Sequence, residues 1–447
     1  MGISRIMVAN RGEIAVRVIR TCRVLGVETV LAASEADKDS TGARLADRTV
    51  VIGPPPASTY LNIPAIMKAA KESGAQALHP GYGFLSEKPE LAQACEENGL
   101  VFIGPKAEHI QKMGNKLVAR ELAREFGVPI LSGSDKVAAF DDLKSVVGEI
   151  GYPIMLKAAA GGGGRGMKIV TEENSDTLKR VFEEASAEAA AAFGDKTLYV
   201  EKYIANARHI EVQVLGDKHG AAIHLGERDC STQRRHQKLI EEASAPNISD
   251  ALRAEIHDAA VKLVKNISYE NAGTVEFIFD QDEQKFYFLE MNTRLQVEHP
   301  VTEMVTGVDI VREQINIAGG GKLSFAQSDV RTTGHSIECR INAEDPFDGF
   351  RPTPGAITNW DIPQGPGVRV DTHCHNGYKV PIYYDSLIAK VIVHGDDREQ
   401  ARRRMYYALD EFRADGISTT IPFLKKVLAT PDFTSGNVTT RILEKVK

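Results

Sequence analysis

Short apolar runs and helical stretches alternate over the first hundred residues. RIMVA (residues 5–9) and ETVLAAS (residues 28–34) are strand-length runs, and GEIAVRVIRTCRVL between them has helical spacing up to Gly26, which can end a helix. Strand–helix–strand of this length is a βαβ unit, so residues 1–112 are expected to form a doubly wound, Rossmann-like domain. Further strands are expected to end at Leu78 and Ile103, each running into a loop with glycine and proline. The first turn, NRGE, lacks the glycine spacing of a dinucleotide fingerprint, so no NAD is expected there. Loops at strand C-termini still favour ligands, which leaves Tyr82 open as a site residue or a packing aromatic.

A helix from Lys112 is expected to carry the chain to Val128-Pro129, and residues 131–203 read as an inserted subdomain. At its centre, IMLKAAAGGGGRGMKIV is an apolar strand ending in Lys157, a glycine run, and a new strand from Lys168. Bare backbone amides over Gly161–Gly166 could approach phosphates closely, with Lys157 as a point charge. The loop joins strand to strand, whereas a Walker A loop or a Rossmann turn opens a helix. It is either a lid over a nucleotide or only a linker. The polar, alanine-rich residues 174–193 read as a surface helix.

RHIEVQVLGD alternates, with His209, Glu211 and Gln213 on one face and Ile210, Val212 and Val214 on the other, which predicts a half-buried strand. ERDCSTQRRHQKLIEE crowds Arg228, Arg234, Arg235, His236 and Lys238 together, as solvated surface or as an anion site. TVEFIF and KFYFLEMN, separated by a polar stretch, predict a β-hairpin. A turn centred on Glu283 sets Glu276 opposite Glu290, with Asn292 on the same face as Glu290. Two opposed carboxylates among apolar neighbours repel, and a divalent cation relieves them; two carboxylates plus an amide suit Mg²⁺ on substrate phosphates. Arg294, Gln296 and Glu298 follow at spacing two into His299-Pro300, and an extended run there would line a wall for a small anion.

Residues 307–318 read as a helix, and Gly319-Gly320-Gly321 as a boundary. Residues 331–447 then read as a small α+β domain packed on the rest. It starts with the alternating strand GHSIECRINAEDP bearing Arg340, and carries a helix from about Arg398 to Phe412 capped by Asp396.

The 447 residues are too many for one core, and 43% hydrophobic with 26% charged residues is an ordinary globular balance. A net charge of −7 argues against a general nucleic-acid binder. There is no apolar run of membrane-spanning length and the N-terminus does not read as a signal peptide. The five cysteines, Cys22, Cys95, Cys230, Cys339 and Cys374, include no CxxC pair, which points to reduced thiols, no zinc and a cytoplasmic location.

Six motifs, GEIAVRVIR, HPGYGFLSE, GGGGRGMK, ERDCSTQRRHQK, EMNTRLQVEHPVTE and ECRINAEDP, resemble in order those of biotin carboxylase, the ATP-grasp component of biotin-dependent carboxylases. The resemblance covers nearly the whole chain. It implies an α/β and α+β multidomain architecture, with an ATP-grasp domain over 113–330 whose glycine-loop lid is 131–203. The implied reaction has two steps. Bicarbonate attacks MgATP to give carboxyphosphate and ADP, then CO₂ released from carboxyphosphate carboxylates N1 of carrier-bound biotin.

Residue by residue, the resemblance implies an ATP site of Lys116, Lys157, Gly162, Gly163, Gly164, Gly166, Met167, Glu201, Lys202, Ile204, His209, Gln233, His236, Glu276, Ile278 and Glu290. Within it, Lys202 and Ile204 would offer their backbone to adenine. Glu276, Glu290 and Asn292 match the Mg²⁺ (or Mn²⁺) site. Arg294, Gln296, Val297 and Glu298 would hold bicarbonate, with Glu298 as its base; Lys238 would stabilise the anionic intermediate; Tyr82 and Arg340 would face biotin. No segment resembles a biotin carrier or a carboxyltransferase, so both are expected on separate chains, most naturally those of acetyl-CoA carboxylase, with acyl-CoA or 2-oxo-acid carboxylases as alternatives. A homodimer is expected, although Val24 and Pro366 stand where an acid and an aromatic are common at the family's contact; Arg20 and Arg369 match it. Another ATP-grasp ligase, or a silent nucleotide-binding protein, is the rival reading.

Overall fold

The computed structural model describes residues 2–159 and 167–446. The N-terminal region is a parallel sheet in the spatial order Arg48–Gly53, Glu28–Ser34, Arg5–Val8, Ala77–His79, Val101–Phe102, with helices on its faces. This is the expected doubly wound arrangement. The chain then forms two helices, Ala107–Gly114 and Lys116–Glu125, in place of one continuous helix. Asn115 breaks them: its side chain caps the second helix by accepting from the N–H groups of Leu117 and Val118 at 3.1 and 3.2 Å. Lys116 thereby starts a helix at the edge of the site.

The inserted subdomain is a four-stranded sheet ordered Gly133–Val137, Leu198–Lys202, Ile154–Ala158, Lys168–Val170, packed against helices Phe140–Ile150 and Ser175–Phe193. Ile154–Ala158 and Lys168–Val170 pair antiparallel, so the glycine run does connect strand to strand. Gly162, Gly163, Gly164 and Gly166 themselves lie outside the described residues.

The central element is an eight-stranded sheet. Its order is Lys285–Asn292, Asn271–Asp280, Ala207–Gly216, Ala222–Arg234, Gln237–Ala243, His335–Asn342, Leu387–Gly395, Val368–Thr372. The C-terminal region is more than a domain packed on the rest. His335–Asn342 pairs with Gln237–Ala243, Cys339 opposite Ile240, so one sheet runs through both regions. Arg340 is carried by this junction. One core lies under the sheet, where Ile210, Val212, Val214, Val275, Phe277 and Phe279 meet Ile256, Leu263 and Val264 of helix Asp250–Asn266. A second lies under the C-terminal strands and helix Arg398–Glu411. The cap of that helix is Asp397, one residue beyond the expected Asp396, and it accepts from the Gln400 N–H at 2.7 Å.

Arg398 ties this helix to the sheet by donating to both oxygens of Glu242, at 2.7 and 2.9 Å, and His335 Nε2 lies 2.9 Å from the same carboxyl. Burial would raise the Glu242 carboxyl from its ordinary 4.5, but His335 and Arg398 outweigh burial and hold it at about 2. A depressed carboxyl stabilises the fold above its unfolded value and loses that contribution as pH falls through the folded one. Stability worth about 3 kcal/mol is therefore expected to disappear between roughly pH 4.5 and pH 2. Denaturant titrations of Arg398→Ala should show a comparable loss at neutral pH, and a smaller difference from the native chain at acid pH.

Candidate functional site

Glu276 and Glu290 are register partners in the hairpin, as expected, but the route to that pairing differs. Phe277 pairs with Phe288, not with Leu289, so a bulge at Leu289 shifts the outer half of the hairpin by one residue. Phe286, Phe288 and Met291 all reach the core because of this bulge, while Glu290 and Asn292 keep the opposite face. The strand Ala207–Gly216 is buried along its whole length, not half-buried. Its polar face carries His209, Glu211 and Gln213 against a second buried layer. Arg228 donates to Glu211 at 2.6 Å and to Gln213 at 2.8 Å, and His209 Nε2 lies 2.9 Å from Glu276.

Lys238 stands at the centre of these acids. Its ammonium donates to Glu211 at 2.6 Å, Glu276 at 3.1 Å and Glu298 at 2.6 Å. The groups His209/Glu211/Glu276 and Glu211/Cys230/Glu298 are each close enough to hold a cation. Both already surround the Lys238 ammonium. Burial pushes the Cys230 thiol well up, so it is a neutral member of the second group. The more open pair, Glu276 with Glu290, suits Mg²⁺ better. Glu290 is 34% exposed and balanced by Lys116 at 3.2 Å, and Asn292 donates to Glu276 at 2.8 Å. Hard oxygen donors from opposed strands, reachable from one side, fit a cation shared with phosphates.

Glu298 is fully buried. Pro300 sits in the first turn of helix His299–Thr306, where its missing N–H costs nothing, so Glu298 takes a turn conformation and not the expected extended one. The carboxylate turns towards Lys238 with one oxygen and towards Arg340, at 3.0 Å, with the other. Burial would raise this carboxyl, but Lys238, Arg340 and Arg228 outweigh it and hold it well below the usual carboxylate range. Arg340 also donates to Glu241 at 2.5 Å. Arg294 and Gln296 form the wall proper: Arg294 donates to Gln296 Oε1 at 2.9 Å, and Gln296 donates to Glu276 at 3.0 Å. The Val297 carbonyl accepts from the Lys390 ammonium at 2.8 Å.

On the nucleotide side, the Glu201 carboxylate is clamped between Lys157 and Arg120. The Lys202 ammonium caps the carbonyls of Ile150, Gly151 and Tyr152, and its backbone N–H donates to Ser132 O at 2.9 Å. Met167, Ile204 and Ile278 are half-buried, and Gln233 is Lys238's cross-strand partner. Arg235 and His236 both have positive φ, 47° and 67°, and form the two-residue turn of their hairpin. Burial, then the charges of Lys157, His209 and Lys116, lower the His236 ring, so it is neutral.

Tyr82 and Arg340 meet in a cleft of about 490 Å³ between the N-terminal and C-terminal regions, lined also by Phe84, Tyr383 and Tyr384. Tyr82 donates to Glu13, and the Lys390 ammonium, 3.1 Å from Glu13, lies over its ring. Two groups had no role from the sequence. Glu87, inside the motif HPGYGFLSE, accepts from Arg294 at 3.0 Å and from the Thr293 N–H at 3.2 Å. Glu241 anchors Arg340.

Three family models match in succession: "Biotin carboxylase, N-terminal domain" over residues 2–110, "Carbamoyl-phosphate synthase L chain, ATP binding domain" over 115–326, and "Biotin carboxylase C-terminal domain" over 338–445. The chain is also 51% identical to biotin carboxylase 1 of Bacillus subtilis, over 99% of this chain and 98% of that protein. The chain belongs to the biotin carboxylase family. It is thus an ATP-dependent carboxylating ligase. A pyruvate carboxylase component of Methanothermobacter thermautotrophicus is 50% identical over 99% of this chain and 90% of that one. Among solved structures, the biotin carboxylase domain dimer of Hydrogenobacter thermophilus 2-oxoglutarate carboxylase, in complex with MgADP, ADP and bicarbonate, superposes with a TM-score of 0.94 at 49% identity, covering 99% and 97% of the two chains. No described helix of this biotin carboxylase family member is long and apolar enough to cross a membrane.

Proposed function

We propose that this chain uses MgATP and bicarbonate to carboxylate N1 of biotin on a carrier protein, with Glu298 as the base. The carrying observation is a fully buried carboxylate kept ionised by Lys238 and Arg340 beside the Glu276–Glu290 pair. Arg294 and Gln296 hold the bicarbonate anion, and Glu298 takes its proton. The resulting nucleophile attacks the γ-phosphorus and ADP leaves. Lys116 and Lys157 offset phosphate charge, and His236, Met167, Glu201, Lys202, Ile204, Gln233 and Ile278 frame the nucleotide. Positioning and charge neutralisation carry such a step. Mg²⁺ held by Glu276, Glu290 and Asn292 would supply further neutralisation on the phosphates. Lys238 stabilises the anionic carboxyphosphate, which breaks to CO₂ and phosphate; the phosphate takes the N1 proton of biotin, Arg340 holds the resulting enolate-like oxygen beside Tyr82, and N1 attacks the CO₂.

Its working partners are a biotin carrier and a carboxyltransferase, those of acetyl-CoA carboxylase in the first instance. The equally full matches to pyruvate and 2-oxoglutarate carboxylase components favour a 2-oxo-acid carboxylase as the second reading. A homodimer is proposed through the face that carries Val24, 88% exposed, and Pro366. Glu303 pairs with both Arg17 and Arg369 there, at 2.7 and 2.8 Å.

ADP release from MgATP, followed while bicarbonate and free biotin are varied independently, tests this reading. Release is expected to require bicarbonate and to rise with biotin; release stimulated by ammonia or an amino acid, and indifferent to biotin, would favour another ligase. Glu290→Gln is expected to raise the Mg²⁺ concentration for half-maximal release by roughly tenfold or more, because one hard charged donor is lost.

A further inference from the structure

Behind Arg340, two carboxyl groups face each other with no cation between them among the described residues. Glu241 and Glu338 are direct partners on adjacent antiparallel strands, so their Cβ atoms lie about 5 Å apart on one face of the sheet. Both are fully buried. Glu241 spends one oxygen on Arg340; its other oxygen and both oxygens of Glu338 have no hydrogen-bond partner among the described residues. Two bare carboxylates in that position are costly, and one added proton removes the cost, because the O–H of one acid then donates to the free oxygen of the other.

Neighbouring charges leave room for that proton. On the adjoining strand, Lys390 is committed to Glu13 at 3.1 Å and to the Val297 carbonyl, with Asp371 at 4.0 Å. Lys238, on the strand of Glu241, is shared among Glu211, Glu276 and Glu298. Arg340 already bridges Glu241 and Glu298. Among the described residues, the remaining groups turned to this face add no cation: burial, then Lys390, keep the His299 ring neutral, burial keeps Cys230 as a thiol, and Tyr82 is a donor to Glu13. Consistently, burial pushes Glu241 up to about 7 and Glu338 well above the carboxylate range.

We propose that Glu241 and Glu338 share a single proton and act as a positioning pair for Arg340, which keeps the guanidinium available to Glu298 and to biotin. The pair titrates as a unit. When it loses its proton, the added negative charge draws Arg340 back towards Glu241, so biotin carboxylation falls as pH rises through the pair's apparent pKa. Bicarbonate-dependent ADP release without biotin falls less over the same range, because Lys238 and Arg228 still hold Glu298 ionised there.

Glu338→Gln provides an N–H donor that cannot titrate. Infrared spectra of the native chain at neutral pH should show a protonated-carboxyl band that persists in a buried environment and is missing in Glu338→Gln. In the kinetic arm, one pH unit above the native midpoint, Glu338→Gln should retain about tenfold more of its plateau biotin-dependent rate than the native chain retains. Absence of the band from the native chain overturns the shared proton. An unchanged alkaline limb in a variant that has lost the band overturns the positioning role. Should Glu338→Gln not fold, Glu241→Gln, whose amide can both donate to Glu338 and accept from Arg340, carries the same infrared reading. Only the kinetic arm rests on the site reading given above; the infrared arm reports the proton whether or not biotin is the substrate.

Discussion

Glu298→Gln is expected to lower bicarbonate-dependent ADP release by roughly two to four orders of magnitude, the usual range for a lost general base. The amide keeps the size of the side chain, but its single oxygen can accept from only one of Lys238 and Arg340 while its NH₂ faces the other, so some stability is lost along with proton abstraction and the rates are compared at temperatures where the variant is folded. The pH dependence follows from the sign of the shift. A base is active in its deprotonated form, and Lys238, Arg340 and Arg228 overcome burial to hold Glu298 well below the ordinary carboxylate range. Activity should therefore show no acid limb from Glu298 between neutral pH and that range. Steady-state rates of native and Glu298→Gln chains across this interval check both points. A variant with near-native rates would remove Glu298 from the chemistry.

Lys238→Met carries the second large effect, and it combines stability with activity. The ammonium is the shared partner of Glu211, Glu276 and Glu298, all buried. Removing one member of a buried ionic cluster strands the others, and the expected loss of folding free energy is about 3–5 kcal/mol. The sign with pH is opposite to that at Glu242. Without Lys238 the three carboxyls become harder to ionise in the folded state, so the folded chain binds more protons than the unfolded one, and the deficit shrinks as pH falls. Denaturant unfolding at two pH values checks this. ADP release should fall below detection even at temperatures where the variant is folded, because the same ammonium faces the anionic intermediate.

The hairpin shows how far alternation along a chain can be read. Glu276 opposite Glu290 followed from a turn centred on Glu283; the turn lies half a residue earlier, with Asp280 opposite Lys285, and the bulge at Leu289, hidden because FYFLEM places apolar residues on both faces in either phase, restores that pairing. Glu298 shows the converse. Proline's effect on the preceding residue suggested an extended wall, but Pro300 opens a helix, and the turn it creates is what brings Glu298 to Lys238 and Arg340. The strand ECRINAED was visible from its alternation, whereas its partner, Gln237–Ala243, lies about a hundred residues upstream and leaves no local trace. Acidic residues such as Glu241 and Glu338 read as surface in any composition-based argument. Only the continuous sheet reveals that they are sealed behind Arg340.

Transfer of label from ¹⁴C-bicarbonate to a biotinylated carrier protein tests the central claim most directly. Acid-labile label should appear on the carrier only with MgATP present, in proportion to ADP formed, and should vanish with Glu298→Gln. ADP formed in step with bicarbonate while the carrier stays unlabelled, or label captured by ammonia or an amino acid instead, would contradict biotin as the acceptor.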